Sequence, residues 1–328
     1  MNQVETLIIG AGISGLVAGG VLQDSKRGNF QIVDKGRSPG GRLATRRIGQ
    51  GTFDHGAQFI TTKSDSFIEL AGHWQTKDWI QPWFVEHHTR YMATGGMSQL
   101  AKKLAQPLPI AYNCEVNRVY SDGECYIAEG INTATSEPFA SRAHSLVMTC
   151  PLPQALKLLD AGNYPIADEQ STLLKSVTYS PCLAILVQLD QEKSLPLGHL
   201  REPVPGVISW MADNHHKGIS PAGAWTIHMD ATWSERHYKD SDDEIMRLAL
   251  PHIEDAVGFA LSIIDVQVKR WRYAQAHHLL PHAFLDIGIH GPLLLAGDAF
   301  AGDSEQHTSS SKVEHAVLSG LQAGIYLS

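Results

Sequence analysis

Three glycines, a carboxylate and an arginine near the start of the chain have the spacing to hold a diphosphate. Gly10, Gly12 and Gly15 follow the apolar run Leu7-Ile8-Ile9 and precede the small residues Ala18 and Gly19. In a dinucleotide-binding turn Gly10 permits the sharp bend, Gly12 leaves the backbone open to a pyrophosphate, and Gly15 lets helix and strand pack closely. Ile13 and Ser14 then fall on the first turn of a helix, where free N–H groups and the dipole favour negative charge. A second short strand, FQIVDK (30–35), ends in Asp34-Lys35, with Asp34 nineteen residues after Gly15. A carboxylate there accepts the hydroxyls of a ribose and repels a 2′-phosphate. Gly41-Arg42 follows in KGRSPGGRLATRR (35–47), and the planar fork of Arg42 suits phosphate oxygens. In FDHGAQFIT (53–61), Gly56 and Ala57 allow backbone to lie against a flat ring.

These groups need elements to bring them together. Residues 4–45 read as a strand–helix–strand unit, and LLLAGDAFAG (293–302) as a buried strand ending at Gly297-Asp298. Residues 309–327 read as a helix with Val313, Ala316, Val317, Leu321 and Ile325 at helical spacing, capped by Ser309, Ser310 or Ser311. GGMSQLAKKLAQ (95–106) reads as a helix, and 111–128 as a hairpin turning at Asp122-Gly123. Strands are expected at 180–189, 206–213, 224–231 and 265–274, with a helix at 241–258. The expected fold is α/β plus α+β: a Rossmann-type mixed sheet with a second, antiparallel-sheet substrate domain roofing the cofactor. The cofactor domain would comprise 1–61, 94–158 and 285–328, and the substrate domain 62–93 and 159–284.

Composition narrows the function classes. The chain has 328 residues, 43% of them hydrophobic, enough for about two domains. Its net charge of −8 and pI near 6.1 disfavour nucleic acid. No apolar stretch approaches a membrane span, and the first strand begins too near Met1 for a signal peptide, so a cytoplasmic protein is expected. Cys114, Cys125, Cys150 and Cys182 form no C-x-x-C pair; Cys114 and Cys125 could face each other on the hairpin, but reduced thiols are expected. The adjacent histidine pairs 87–88, 215–216 and 277–278 diverge on a strand and lack ligand spacing, so no metal is expected.

Together, IIGAGISGLVAG (8–19), VDKGRSPGGRLATRR (33–47), FDHGAQFIT (53–61), GGMSQLAKKLA (95–105), VMTCPLPQ (147–154), DATWSERHY (230–238), RWRYA (270–274) and AGDAFAG (296–302) carry a full-length resemblance. The chain resembles the FAD-dependent amine-oxidase superfamily, whose fold is shared with p-hydroxybenzoate hydroxylase, and is most similar to its short renalase-like branch. The resemblance implies FAD contacts from Gly10, Gly12, Ile13, Ser14, Gly15, Asp34, Lys35, Gly41, Arg42, Gly56, Ala57, Gln58, Phe59, Val116, Gly297, Asp298 and Val313. It places Asp298 on the flavin chain, the backbone of Val116 at adenine, and the N-terminus of the last helix at the flavin's pyrimidine edge. Many relatives carry Gly before the Val-Glu of that helix, where this chain has Ser311-Lys312. Covalent members attach flavin through a C-terminal cysteine; the last one here is Cys182, which implies non-covalent FAD.

The resemblance also implies a substrate: a misreduced 2- or 6-dihydro isomer of NAD(P)H. Hydride would pass to flavin N5, giving NAD(P)⁺, and O2 would then take the electrons to give H2O2. The substrate's ring nitrogen drives hydride loss, so no catalytic acid or base is expected from the protein. Pocket candidates are Phe59, Thr61, Tyr179, Trp210, Asn214, His228 and Trp271, with aromatics to stack on nicotinamide and Asn214 to hold its carboxamide. The competing expectations are an FAD-dependent amine oxidase, whose second flavin-facing aromatic is not evident in AFAGDSEQHTSSS, and a non-catalytic Rab-escort-like binding module.

Overall fold

The first strand, Asn2–Ile9, pairs in parallel with Phe30–Val33 on one side and with Pro138–Met148 on the other. Its last four residues are all buried, as expected for a central strand covered on both faces. In this computed structural model, which describes residues 2–26, 29–190, 193–302 and 310–328, that strand organises an eight-stranded mixed sheet. Ile110–Ala111 and Leu293–Leu295 extend it in parallel, and Leu285–Asp286 closes one edge in antiparallel register. The hairpin Cys114–Ser121/Tyr126–Asn132 grows from Pro138–Met148. Cys114 lies opposite Asn132 while Cys125 sits at the turn, so the two thiols occupy opposite ends of the hairpin, and all four cysteines are free.

The helix Ile13–Ser25 packs against the terminal helix Val313–Leu327. Of the expected apolar stripe, Ala316 and Val317 are buried and Val313 and Leu321 pack partly against the core, but Ile325 is half exposed. The buried face widens instead over the small residues Ser319, Gly320, Ala323 and Gly324. The start also differs: the helix begins at Val313, with Lys312 rather than a serine as N-cap. Ser311 instead pairs with Ala276, its N–H donating to the Ala276 carbonyl and its hydroxyl accepting from the Ala276 N–H at 2.9 Å. Ser309 lies outside the described residues.

A second sheet, entirely antiparallel, runs His199–Val204, Ile208–Asp213, Ala224–Met229, Thr178–Leu189, Ile263–His277. Its edge strand His199–Val204 is absent from the sequence expectation. Pro203 obscures the strand pattern, and proline is tolerated at a sheet edge because no ladder donor is needed there. One face carries Leu183, Ile185, Val187 and Ile227 against Ile245, Ala249 and Ile253 of the helix Asp242–Val257. Ser241 caps that helix by accepting from the Glu244 N–H, and Gly258 ends it in the left-handed region.

The other face receives the hairpin Thr45–Ile48/Gly51–Asp54, whose Ile48 and Phe53 pack on Leu186 and Ala224. The segment 62–93 divides between two sides. Phe67 and Trp74 join Ile8 and Leu16 in one core, while Trp83 and Phe84, on the strand Ile80–Glu86, turn toward Trp210. Among the described residues no helix is long and apolar enough to cross a membrane.

Candidate active site

The turn after the first strand forms a cradle. Gly10 has φ +113°, and a Cβ on Gly15 would collide with the Gly10 carbonyl oxygen, so both positions require glycine. A Cβ on Gly12 would meet nothing within 4 Å: that side of the turn is open space. Intrahelical bonding begins only at the Leu16 N–H to the Gly12 carbonyl, 3.0 Å, which leaves the N–H groups of the first turn directed at that opening. The buried Ser14 hydroxyl there has no hydrogen-bond partner. An open approach, unsatisfied donors and an orphaned hydroxyl at a helix N-terminus fit the pyrophosphate of a dinucleotide. Asp34 is oriented by the Ala11 and Gly36 N–H groups, each 2.6 Å from one carboxylate oxygen. Lys35 is exposed, Gly41 is exposed with φ +53°, and Ile13 is buried in the core. Val116 is buried in the hairpin opposite Gly130, and Val313 opens the terminal helix.

Two residues expected to hold separate parts of a cofactor hold each other. The Arg42 fork donates to both oxygens of Asp298, at 2.7 and 2.5 Å, and to the carbonyl of Tyr273 at 3.2 Å. Burial opposes the Arg42 charge, but Asp298 outweighs it and holds the pKa above the ordinary arginine value. The fork therefore ties the first βαβ unit to the Gly297-Asp298 turn and to the second sheet. Gly297, at φ +134°, donates its N–H to the Ser319 hydroxyl at 2.8 Å. Gly56 has a different reason from the one expected: a Cβ there would collide with the Arg42 carbonyl oxygen, which also accepts from the Ala57 N–H. Tyr179 belongs to this region rather than to the pocket. Its ring meets Tyr273 edge-on at 5.7 Å, and burial pushes its phenol pKa up.

The second sheet roofs the 54–59 segment with one row of directly opposed residues: Arg201, Trp210, His228, Ala184 and Lys269. Alternation along each strand puts all five on one face. Beside the row, Trp271 stacks on His55 at 5.3 Å and donates its indole N–H to the His55 carbonyl at 2.8 Å. His228 donates to the same carbonyl at 3.3 Å. Burial lowers the pKa of both His55 and His228 to about 4, so both are neutral at pH 7. The His55 Nδ1 and the Gln58 side-chain oxygen are buried without partners.

Phe59 lies 5.3 Å from Trp210 and 5.8 Å from Phe84, and His199 stacks on both Phe84 and Trp210. The result is a packed aromatic cluster. The Arg90 guanidinium covers Phe59 at 5.3 Å and donates to the Thr61 hydroxyl at 2.9 Å. On its Trp83 side, Lys217 and Asp54 form an ion pair of 2.7 Å with both side chains fully buried. Lys217 also donates to the Gln58 carbonyl, and Asp54 accepts from the Thr45 hydroxyl and the Met97 N–H.

The structure thus brings Phe59, Thr61, Trp210, His228 and Trp271 together at the 54–61 stretch and leaves Tyr179 out; Asn214 reaches Asp54 but only as a structural contact. The Asn214 amide is spent within the fold. Its nitrogen donates to the Ala224 carbonyl and the Thr226 hydroxyl, and its oxygen accepts from the Asp54 N–H, so it is not free for a carboxamide. Sequence reasoning missed Asp54, His55, Arg90, His199 and Lys217. Asp54 and His55 stood inside a quoted motif, FDHGAQ, and could have been weighed there. Lys217 follows a histidine pair considered only for metal; Asp213 shapes that turn by accepting from the His215 and His216 N–H groups.

The family described as flavin containing amine oxidoreductase matches residues 76–324, and the NAD(P)-binding Rossmann-like domain matches residues 8–74. A crystal structure of a protein from Exiguobacterium sp. 255-15, assigned as a protoporphyrinogen oxidase, is similar with a TM-score of 0.74 and 12% identity. That match covers 99% of this chain and 98% of that one, and at this identity it concerns the fold.

Proposed function

The chain belongs to the flavin-containing amine oxidoreductase family, with FAD held non-covalently, and on that premise we propose that it oxidises misreduced dihydronicotinamide dinucleotides to NAD(P)⁺ in the manner of renalase-like enzymes. FAD, when bound, supplies a two-electron acceptor that takes hydride at N5 and passes the electrons to O2, yielding H2O2. The Gly10–Gly15 turn and Ser14 would hold its pyrophosphate and Asp34 its ribose. Gly56–Phe59 and the N-terminus of the terminal helix would meet its ring.

One observation carries this reading: the aromatic cluster has no strong, uncommitted base beside it among the described residues. His55 and His228 are weakly basic, and the Lys217 ammonium is bound by Asp54 and the Gln58 carbonyl. A dihydropyridine expels hydride by the push of its own ring nitrogen, so the chain's task is orientation and exclusion of water. Phe59, half-buried at the edge of the cluster, would supply a stacking surface.

The test is anaerobic mixing of the purified yellow protein with 2- and 6-dihydro NADH isomers while the visible flavin absorbance is followed. Rapid bleaching by the isomers, and not by 4-dihydro NADH or amines, is the expected result; bleaching by amines only would overturn it. The amine-oxidase reading keeps one observation in its favour, the buried Lys217 whose ammonium lies 4.7 Å from the Trp83 ring, and the amine arm of the same experiment decides it.

A further inference from the structure

Charge around the aromatic cluster is unevenly arranged. On its buried side Lys217 is neutralised by Asp54. On its exposed side two arginines share one carboxylate: Glu86 accepts from Arg201 at 2.6 Å and lies 3.5 Å from Arg90. The Arg90 side chain is only 12% exposed, yet its Nε is buried without a partner. Two more buried donors, the indole nitrogens of Trp83 and Trp210, have no acceptor either. Buried donors without acceptors are costly, and these three leave hydrogen-bonding capacity unspent beside the arginines. The positive field extends beyond the arginines: burial first, then Lys63, with Arg90 adding to it, hold the Lys312 ammonium below the ordinary lysine range.

We propose that Arg90, backed by Arg201 across their shared Glu86, is the specificity-determining cation beside the aromatic cluster, taking a phosphate oxygen of the dinucleotide and disfavouring a protonated amine. This inference rests on the dinucleotide reading above and adds to it the group that selects the phosphorylated form of the substrate. Arginine suits the role because its donors form a fixed fork and its charge survives burial. Stacking of the guanidinium on Phe59 holds that fork beside the ring that would meet the nicotinamide.

The experiment compares kcat/KM for the 2- and 6-dihydro dinucleotides with that for the corresponding phosphate-free dihydronicotinamide ribosides. In Arg90→Gln the preference for the dinucleotide should fall at least about tenfold, and Arg90→Lys should retain part of it. Glu86→Gln leaves the two arginines uncompensated and should raise the preference, an opposite sign that misfolding does not produce. In parallel, the holoenzyme is titrated calorimetrically with ADP-ribose, whose affinity should weaken in Arg90→Gln and tighten in Glu86→Gln. If the dinucleotide is oxidised but its preference is unchanged in Arg90→Gln, the inference is overturned and the function reading stands. If neither nicotinamide substrate is oxidised, the function reading falls and the titration decides: Arg90-dependent ADP-ribose affinity upholds the anion site, while unchanged or absent binding overturns it.

Discussion

Asp54 and Lys217 are fully buried, and each is the other's only opposite charge within salt-bridge reach among the described residues. Removing one partner of such a pair strands a charge in the interior, at a cost of about 3–5 kcal/mol, whereas removing both costs far less. Asp54→Asn should therefore lower the unfolding free energy by about that amount in urea titrations, and Asp54→Asn with Lys217→Met should recover most of the loss. A single-variant loss under about 1 kcal/mol would show that water reaches the pair. The pair joins residues more than 160 positions apart. Each was an ordinary charged residue in its own stretch of sequence, and nothing local marks them as partners.

At the scale of elements, the glycine turn separates two roles that the sequence merges. A Cβ at Gly15 collides with backbone, while a Cβ at Gly12 enters open space. Gly15→Ala should then yield a destabilised protein whether or not flavin is supplied. Gly12→Ala should melt like the wild type when stripped of flavin, yet bind FAD at least about tenfold more weakly, because the added methyl occupies the pyrophosphate approach. Melting of the stripped proteins and FAD titration check both statements; a normal FAD affinity in Gly12→Ala would place the pyrophosphate elsewhere. The edge strand His199–Val204 matters at this scale too, since it supplies His199 and Arg201 to the aromatic cluster.

At the scale of the whole molecule, His55 of the 54–59 segment meets Trp271 and His228 of the second sheet, and both histidines are neutral with pKa values near 4 against about 6.5 when unfolded. The unfolded chain binds protons first as pH falls. Their contribution is thus complete above pH 6.5 and is lost between 6.5 and 4, at up to about 1.4 kcal/mol per pH unit for each histidine. Urea midpoints measured across that range should fall with pH, and His228→Gln should flatten the slope; an unchanged slope would count against a buried neutral His228. The sequence by itself determined the cofactor cradle, both sheets in outline and the family resemblance. These rest on short-range signals: glycine spacing, strand alternation and helix periodicity are each set by a few neighbouring residues. Only the tertiary structure decided that Arg42 grips Asp298, that Asn214 is spent within the fold, and that Arg90, Trp83 and Lys217 gather at one aromatic cluster. Those outcomes depend on which side chains meet across distant elements, and on how burial then revalues their charges and hydrogen bonds, a pairing that no local pattern records.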